Sequence, residues 1–479
     1  MDPGVNRAWR RLTGIAAGGL LTVSLVPAAA AAPATASRHF TPGAAGVGDP
    51  YFPELGNGGF DVEHYDLNLG YVPADRQLRG TATIRARATQ NLSRFDLDLS
   101  GMTVRSVRVD GAAARFTRED EELVITPRHG LVRGEHFAVT VRYDGSPKTI
   151  TGSPIVFGAD YGWQYTKDGA FVGDEPNAAH TWFPSSDHPS DKASYTFRVT
   201  VPQGTKVVAN GELRAENTVA AGTRYVWNEV KPMATYLATI DIGRWNFRSG
   251  RTAGGISELV AVDPDLAAKA RDARFSETTG EITDYWAKTF GKYPFTSTGA
   301  IVDNLPNVGF SLETQTRPLY GSVVGVGTIA HELSHEWFGD SVSVRTWRDI
   351  WLNEGFATYA AWLWAEHTGG RTAYASAKAA YDGVAASSPF WNQSIADPQR
   401  DTMFSSAVYN RGGMTLAALQ HRIGDTAFFR LLRTWTAQHR YGNATTAQFT
   451  RLAERVSGQD LDDFFRTWLW DKTKPATFG

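Results

Sequence analysis

The sequence predicts an α+β protein of two domains, an all-β sandwich-like N-terminal half followed by a mainly helical half. Three observations predict it. Period-two alternation of apolar and polar residues recurs from about residue 60 to about residue 245, the pattern of half-buried strands. No long amphipathic helical pattern interrupts that stretch, so it reads as an all-β, sandwich-like domain. After Arg248 the apolar spacing changes to the three-four repeat of helices that bury one face. With 479 residues and 42% hydrophobic content, the chain has core material for two to three domains.

The N-terminus carries Arg7, Arg10 and Arg11, then the apolar run Leu12–Val26, then Pro27 and the small residues Ala28–Ala32. The apolar run is short for a membrane span, so residues 1–32 read as an export signal cleaved near Ala32. The general secretory route is expected over the twin-arginine route, despite the Arg10-Arg11 pair. The mature protein is therefore expected to be secreted, with no membrane contact after cleavage. Residues 33–55, rich in Ala, Pro and Gly, read as a flexible lead-in.

The β-domain is expected over 56–247. Its strands are read at Val62–Leu69, Thr81–Ala88, Phe95–Leu99, Val104–Val109, Phe137–Tyr143, Tyr195–Val201, Lys206–Ala209 and Thr235–Asp241, with turns such as Asp110-Gly111 between them. The helical domain is expected over 248–479. Within it Asp263–Phe290 has helical spacing, with Ile282, Tyr285, Trp286 and Phe290 on one face, and Gly299–Val302 reads as a short strand. A helix carrying Phe356, Tyr359, Ala360, Leu363 and Trp364 stops near Gly369, and Asp460–Leu469 reads as the last helix.

Composition excludes several classes of function. Lys+Arg number 48 against Asp+Glu 50, a net charge of −2 with no basic block, so nucleic acid is not an expected partner. There is no cysteine, hence no disulfide, no thiolate metal ligand and no cysteine nucleophile.

The chemistry is concentrated in Thr328-Ile-Ala-His-Glu-Leu-Ser-His-Glu-Trp-Phe-Gly339 and Trp351-Leu-Asn-Glu-Gly-Phe-Ala357. On a helix His331 and His335 sit one turn apart on one face, so two imidazole nitrogens converge on one metal ion. Glu332 lies on the same helix, placed to take a proton from an activated water without ligating the metal. Glu354, opening another helix, supplies the third ligand. Two neutral imidazoles and one carboxylate leave a zinc ion positive enough to polarise a carbonyl, so one Zn²⁺ per chain is expected. A bare His-Glu-x-x-His recurs by chance; the added Glu354 makes the metal reading specific.

The run Val326–Tyr359 resembles the aminopeptidase N family, the gluzincin zinc metallopeptidases of peptidase family M1. Phe290-Gly-Lys-Tyr-Pro-Phe295, Lys231-Pro-Met-Ala-Thr-Tyr-Leu237 and Trp182-Phe-Pro-Ser-Ser-Asp-His-Pro189 are similar to further family landmarks. The resemblance implies a saddle-like β-domain followed by a thermolysin-like catalytic domain, acting on peptides with a free N-terminus. It also implies roles for three more residues. Phe310-Ser-Leu-Glu-Thr314 is similar to the exopeptidase motif Gly-x-Met-Glu-Asn, which makes Glu313 the carboxylate that holds the substrate α-amine. Tyr409 stands in Tyr409-Asn-Arg-Gly412, similar to Tyr-x-Lys-Gly, and would hydrogen-bond the oxyanion, with Arg411 in place of the usual Lys. Glu175, twelve residues before Asp187, matches the spacing of a second amine-binding residue. Family members commonly carry a large helical C-terminal domain, and this sequence reads as a short secreted form without it, expected to act as a monomer. The main alternative is a thermolysin-type neutral metalloendopeptidase, which shares the zinc ligands but has no use for an amine trap. Epoxide hydrolysis and a non-catalytic binding module are further alternatives; an intact Glu332 and Tyr409 argue against the last.

Overall fold

The structure of the protein is a computed structural model and describes residues 38–479. The expected export signal and the start of the expected lead-in lie outside the described residues.

The β-rich half is built around a long hairpin. Strands Phe60–Val72 and Gln77–Ala88 pair antiparallel in the middle of an eight-stranded sheet. The alternation along the first strand changes phase once, with Phe60 and Val62 buried and then Tyr65, Leu67, Leu69 and Tyr71. The pairing register slips between Val62 and His64. A bulge there inserts one residue and returns the following side chains to the core face. Ala193–Val201 joins the other edge of Phe60–Val72 in parallel, while the remaining neighbours in this sheet are antiparallel. Tyr65 stacks on Tyr195 with ring centroids 4.9 Å apart and meets Phe183 edge-on at 5.5 Å, an arrangement that matches aromatic quadrupoles.

A second sheet orders Thr149–Ile150, Tyr161–Tyr165, Ala170–Gly173, Ile240–Gly243 and Lys206–Ala209 side by side. Its strand Ala170–Gly173 leads directly to Glu175. The helical half has its own five-stranded sheet, ordered Asn246–Arg251, Ser257–Val262, Ser297–Val302, Leu319–Tyr320, Ser311–Leu312. Four helices matter for the site: Phe275–Thr289, Val326–His335, Trp351–His367 and Ser406–Ile423. Trp286 of the first donates its indole N–H to the Ala330 carbonyl of the second at 3.2 Å, which fixes the spacing between them. No helix among the described residues is long and apolar enough to cross a membrane.

The order, β-rich half then helical half, is the expected one, but four local expectations change. The boundary expected between 247 and 248 falls inside the strand Asn246–Arg251, which pairs with Ser257–Val262 and so belongs to the sheet of the helical half. Thr235–Asp241 is not one strand: a 3-10 turn, Thr235–Leu237, precedes the strand Ile240–Gly243. Asp460–Leu469 is a short helix, Asp462–Phe465, continued by a wider π-type turn, Arg466–Trp470.

The fourth change concerns the lead-in. Tyr51, Phe52 and Leu55 are buried in the main core, and Asp49 is 1% exposed. The Asp49 carboxylate accepts hydrogen bonds from His188 Nε2 at 3.1 Å and from the Trp347 backbone N–H at 2.9 Å. Tyr51 donates its hydroxyl to Asp397 at 2.6 Å and accepts from the Gln399 backbone N–H at 2.8 Å. Residues 49–51 therefore staple the β-rich half to the helical half. The Ala, Pro and Gly around them masked this, because composition averages over the few residues that anchor the segment.

Candidate active site

The helix Val326–His335 places His331 and His335 one turn apart, with ring centroids 4.9 Å apart. Helix Trp351–His367 brings Glu354 in from its first turn. One Glu354 oxygen lies 3.3 Å from His331 Nε2 and 3.6 Å from His335 Nε2. One donor atom from each of the three residues falls within 4.8 Å of the others. His335 donates its Nδ1–H to the Phe338 carbonyl at 3.0 Å, which fixes the ring with Nε2 turned toward Glu354.

Three more carboxylates surround this triad. Glu313 and Glu332 form a group with His335 within 4.8 Å, and Glu175 forms one with Glu313 and Glu354. Burial raises the proton affinity of Glu332 well above the usual carboxylate range. Burial likewise raises Glu175 well above that range and Glu313 above its ordinary value, and the Glu313 charge beside Glu175 adds to the rise there. Glu354 behaves oppositely. Burial would raise it, but the charge on His335 and hydrogen bonds from both imidazoles bring it down to about 2. Burial would likewise lower His335, yet Glu354, Glu313 and Glu332 hold it up at about 10. Four carboxyl groups thus share a site screened from water with two imidazoles, and bound cations are what would let all four ionise together. The His-His-Glu donor set fits a catalytic zinc ion. One oxygen each of Glu175 and Glu313 is buried without a hydrogen-bond partner, which fits a second, nitrogen-borne positive charge.

Tyr409 approaches from helix Ser406–Ile423, its ring parallel to that of His331 within 10° and 6.1 Å away. Two glycines set that approach. A Cβ on Gly412 would lie 2.6 Å from Gly355 Cα, and one on Gly355 would lie 2.8 Å from Gly412 Cα. The two helix backbones therefore touch one residue after Glu354 and three after Tyr409. Arg411, fully buried, fixes the same helix by donating to the carbonyls of Gln393, Thr467, Trp468 and Asp471. A lysine has no planar fork with which to reach four carbonyls, so the Arg411 departure from the family pattern has a structural role. Gly412→Ala is expected to destabilise the fold by about 1–3 kcal/mol through overpacking, despite better helix propensity, and to depress turnover as Tyr409 is pushed away. Thermal melts and steady-state kinetics of the variant check this, and an unchanged melting temperature would contradict the backbone contact.

Glu313 sits beside a short edge strand, Ser311–Leu312, that pairs with Leu319–Tyr320. The loop between them is anchored from the β-rich half. Asn210 donates to the Gln315 and Leu237 carbonyls, each at 2.9 Å, and Arg317 reaches back to the carbonyls of Ala209 and Gly211. Glu336, next to His335, accepts the Thr316 N–H at 3.1 Å. Lys192 donates to the carbonyls of Asp340 and Ser341, at 2.6 and 3.1 Å, in the loop after the zinc-motif helix. The two halves thus hold the metal triad and the Glu175–Glu313 pair in one rigid frame.

All seven residues singled out from sequence, His331, Glu332, His335, Glu354, Glu313, Glu175 and Tyr409, converge here. Residues 61–237 match the peptidase M1 N-terminal domain, and residues 315–468 match the peptidase family M1 domain. The chain belongs to peptidase family M1. It is 24% identical over 447 residues to the leucyl aminopeptidase of Saccharolobus solfataricus, covering 87% of this chain and 54% of that protein. It is 26% identical over 455 residues to aminopeptidase M1-B of Oryza sativa subsp. japonica, covering 87% and 50%. This M1 chain spans about half the length of the curated relatives it matches. It also resembles the crystal structure of an M1 zinc metallopeptidase from Deinococcus radiodurans, at 28% identity and a TM-score of 0.83, over 91% of this chain and 99% of that one. A mutant of that metallopeptidase bound to a Tyr-Ser-Ala substrate gives a TM-score of 0.82.

Sequence reasoning missed the anchors Lys192, Asn210 and Arg317 of this M1 site, and Val156, Phe157 and Phe404, which line a cavity that also borders Glu175 and Tyr409. A loop lysine or phenylalanine carries no local signal of what it will touch.

Proposed function

We propose that the protein is a zinc-dependent aminopeptidase that hydrolyses the first peptide bond of substrates with a free N-terminus. The observation that carries this reading is the buried Glu175–Glu313 pair beside the metal triad, each residue with an unpartnered oxygen. An endopeptidase has no use for two buried carboxylates there, whereas a substrate ammonium neutralises them and donates charge-assisted hydrogen bonds to their oxygens.

Held by His331, His335 and Glu354, a zinc ion supplies Lewis-acid polarisation of the scissile carbonyl and acidifies the attacking water. The chain's own groups do the rest. Glu313 and Glu175 fix the ammonium, so that only the first peptide bond reaches the reacting position. Glu332 accepts the proton of the attacking water and passes it to the leaving nitrogen. The Tyr409 hydroxyl donates to the carbonyl oxygen as negative charge develops there. The products are a free amino acid and a peptide one residue shorter.

The test compares a free-amine dipeptide anilide with its N-acetylated twin, with and without a zinc chelator. Cleavage of the free amine alone, lost on chelation and restored by Zn²⁺, is the expected result. Cleavage within a blocked peptide would overturn the amine trap and favour the thermolysin-type reading. Export is proposed on the pattern of Arg7, Arg10 and Arg11, Leu12–Val26 and Ala28–Ala32. Terminal sequencing of protein from the culture medium tests it.

A further inference from the structure

A cavity of about 250 Å³ opens beside the metal triad, with Glu175 and Tyr409 on its inner side. Its other walls are the apolar or aromatic Val156, Phe157, Tyr161, Phe310, Leu312 and Phe404, with Ser311 the one small hydroxyl among them. Tyr161 spends its hydroxyl on Asn177 at 2.9 Å, so it presents ring rather than polar group. The wall is closed near Glu175 as well: a Cβ on Gly173 would lie 2.5 Å from Leu312 Cδ1. A larger neighbouring concavity of about 580 Å³, lined by Asp160, Asp168, Asp263 and Asp303 among others, shares only Phe310 with it and borders neither Glu175 nor Tyr409. A substrate with its ammonium on Glu175 and its carbonyl toward Tyr409 therefore has the smaller, apolar cavity as the place for its first side chain.

Phe157 is the unusual wall. It is 69% exposed, although the other aromatic walls are half-buried or buried. It follows the turn Pro154–Val156 and stands at φ 56° and ψ 34°, a left-handed conformation that bulky residues rarely adopt. The Phe157 N–H closes the turn on the Pro154 carbonyl at 3.2 Å, so the turn fixes the left-handed backbone and holds an exposed apolar ring out at the rim of the cavity.

We propose that this cavity selects substrates with a bulky apolar first residue, aromatic or leucine-like, and that Phe157 is a specificity-determining residue that covers that side chain. The proposal rests on the aminopeptidase reading, because it places the cavity by the position of the amine trap. Apart from Glu175, which the ammonium engages, no wall carries a charge, so a lysine or arginine side chain would be desolvated there without a dedicated partner.

The experiment is a panel of Phe-, Leu-, Ala- and Arg-anilides with free amines, run on the full chain and on the Phe157→Gly and Phe157→Leu variants. Phe- and Leu-anilides are expected to exceed Ala- and Arg-anilides about 10- to 100-fold in kcat/KM, the range set by burying one large apolar side chain. Phe157→Gly also relieves the left-handed strain, and it is expected to lower kcat/KM for Phe-anilide about three- to tenfold more than for Ala-anilide. Phe157→Leu keeps an apolar cover and is expected to retain the order of preference. Inhibition by free phenylalanine against free alanine reads the same selectivity without turnover, and phenylalanine is expected to bind more tightly. Equal kcat/KM across the panel, or an Arg or Ala preference, would overturn the proposal while leaving the aminopeptidase reading intact. Failure to cleave any free-amine substrate would instead remove that reading, and this proposal with it.

Discussion

Glu332→Gln is expected to lower kcat by about 10²- to 10⁴-fold, the range for loss of a positioned general base, with bound zinc retained. The substitution keeps shape and volume and removes only the capacity to accept a proton. Glu332 is 6% exposed and lies outside the His331, His335 and Glu354 donor set, so metal content separates loss of proton transfer from loss of the ion. The measurement is turnover of a free-amine anilide together with zinc per chain by elemental analysis. A kcat within tenfold of the parent at full zinc occupancy would remove Glu332 from the proton path.

The second large effect belongs to Tyr409→Phe. Loss of one hydrogen bond aimed at a developing oxyanion costs about 2.7–4 kcal/mol, or 10²- to 10³-fold in kcat. The ring that lies parallel to His331 remains, so the approach of the helix and the melting temperature should not change. KM should move little, because the bond strengthens only as charge appears on the carbonyl oxygen. A variant that raised KM with kcat intact would show that Tyr409 binds the ground state instead.

The metal triad was legible in the sequence because its geometry is local. His331 and His335 need only the helical repeat to be neighbours, and Glu354 opens a helix whose apolar stripe is equally readable. The long strands were legible for the same reason, but the bulge after Val62, inside a segment read as one alternating strand, was not. Legibility ended where position depends on distant partners. Glu175 could be placed only by its spacing from Asp187, and its meeting with Glu313 follows from the packing of two sheets whose strands are far apart in sequence. Phe157 gave no signal, since an exposed phenylalanine in a loop looks the same whether or not it borders a cavity. The lead-in was misread because two anchors, Asp49 and Tyr51, are outnumbered by small residues around them.

Those two anchors have a consequence for how the molecule is made. Asp49 is separated by 298 positions from Trp347, and Tyr51 by 346 from Asp397. A ribosome delivers them early and their partners late. Loop-closure entropy grows only logarithmically with length, so the staple is thermodynamically inexpensive, but contacts of such high order form slowly and toward the end of folding. The β-rich half has its strands long before the residues that receive Asp49 and Tyr51 exist. The pairing of Glu175 from one half with Glu313 from the other, the proposed amine trap, is complete only after both halves have been synthesised and docked. A nascent chain therefore passes most of its synthesis without an assembled hydrolytic centre, and the cleft acquires its cutting geometry as one of the final events of maturation.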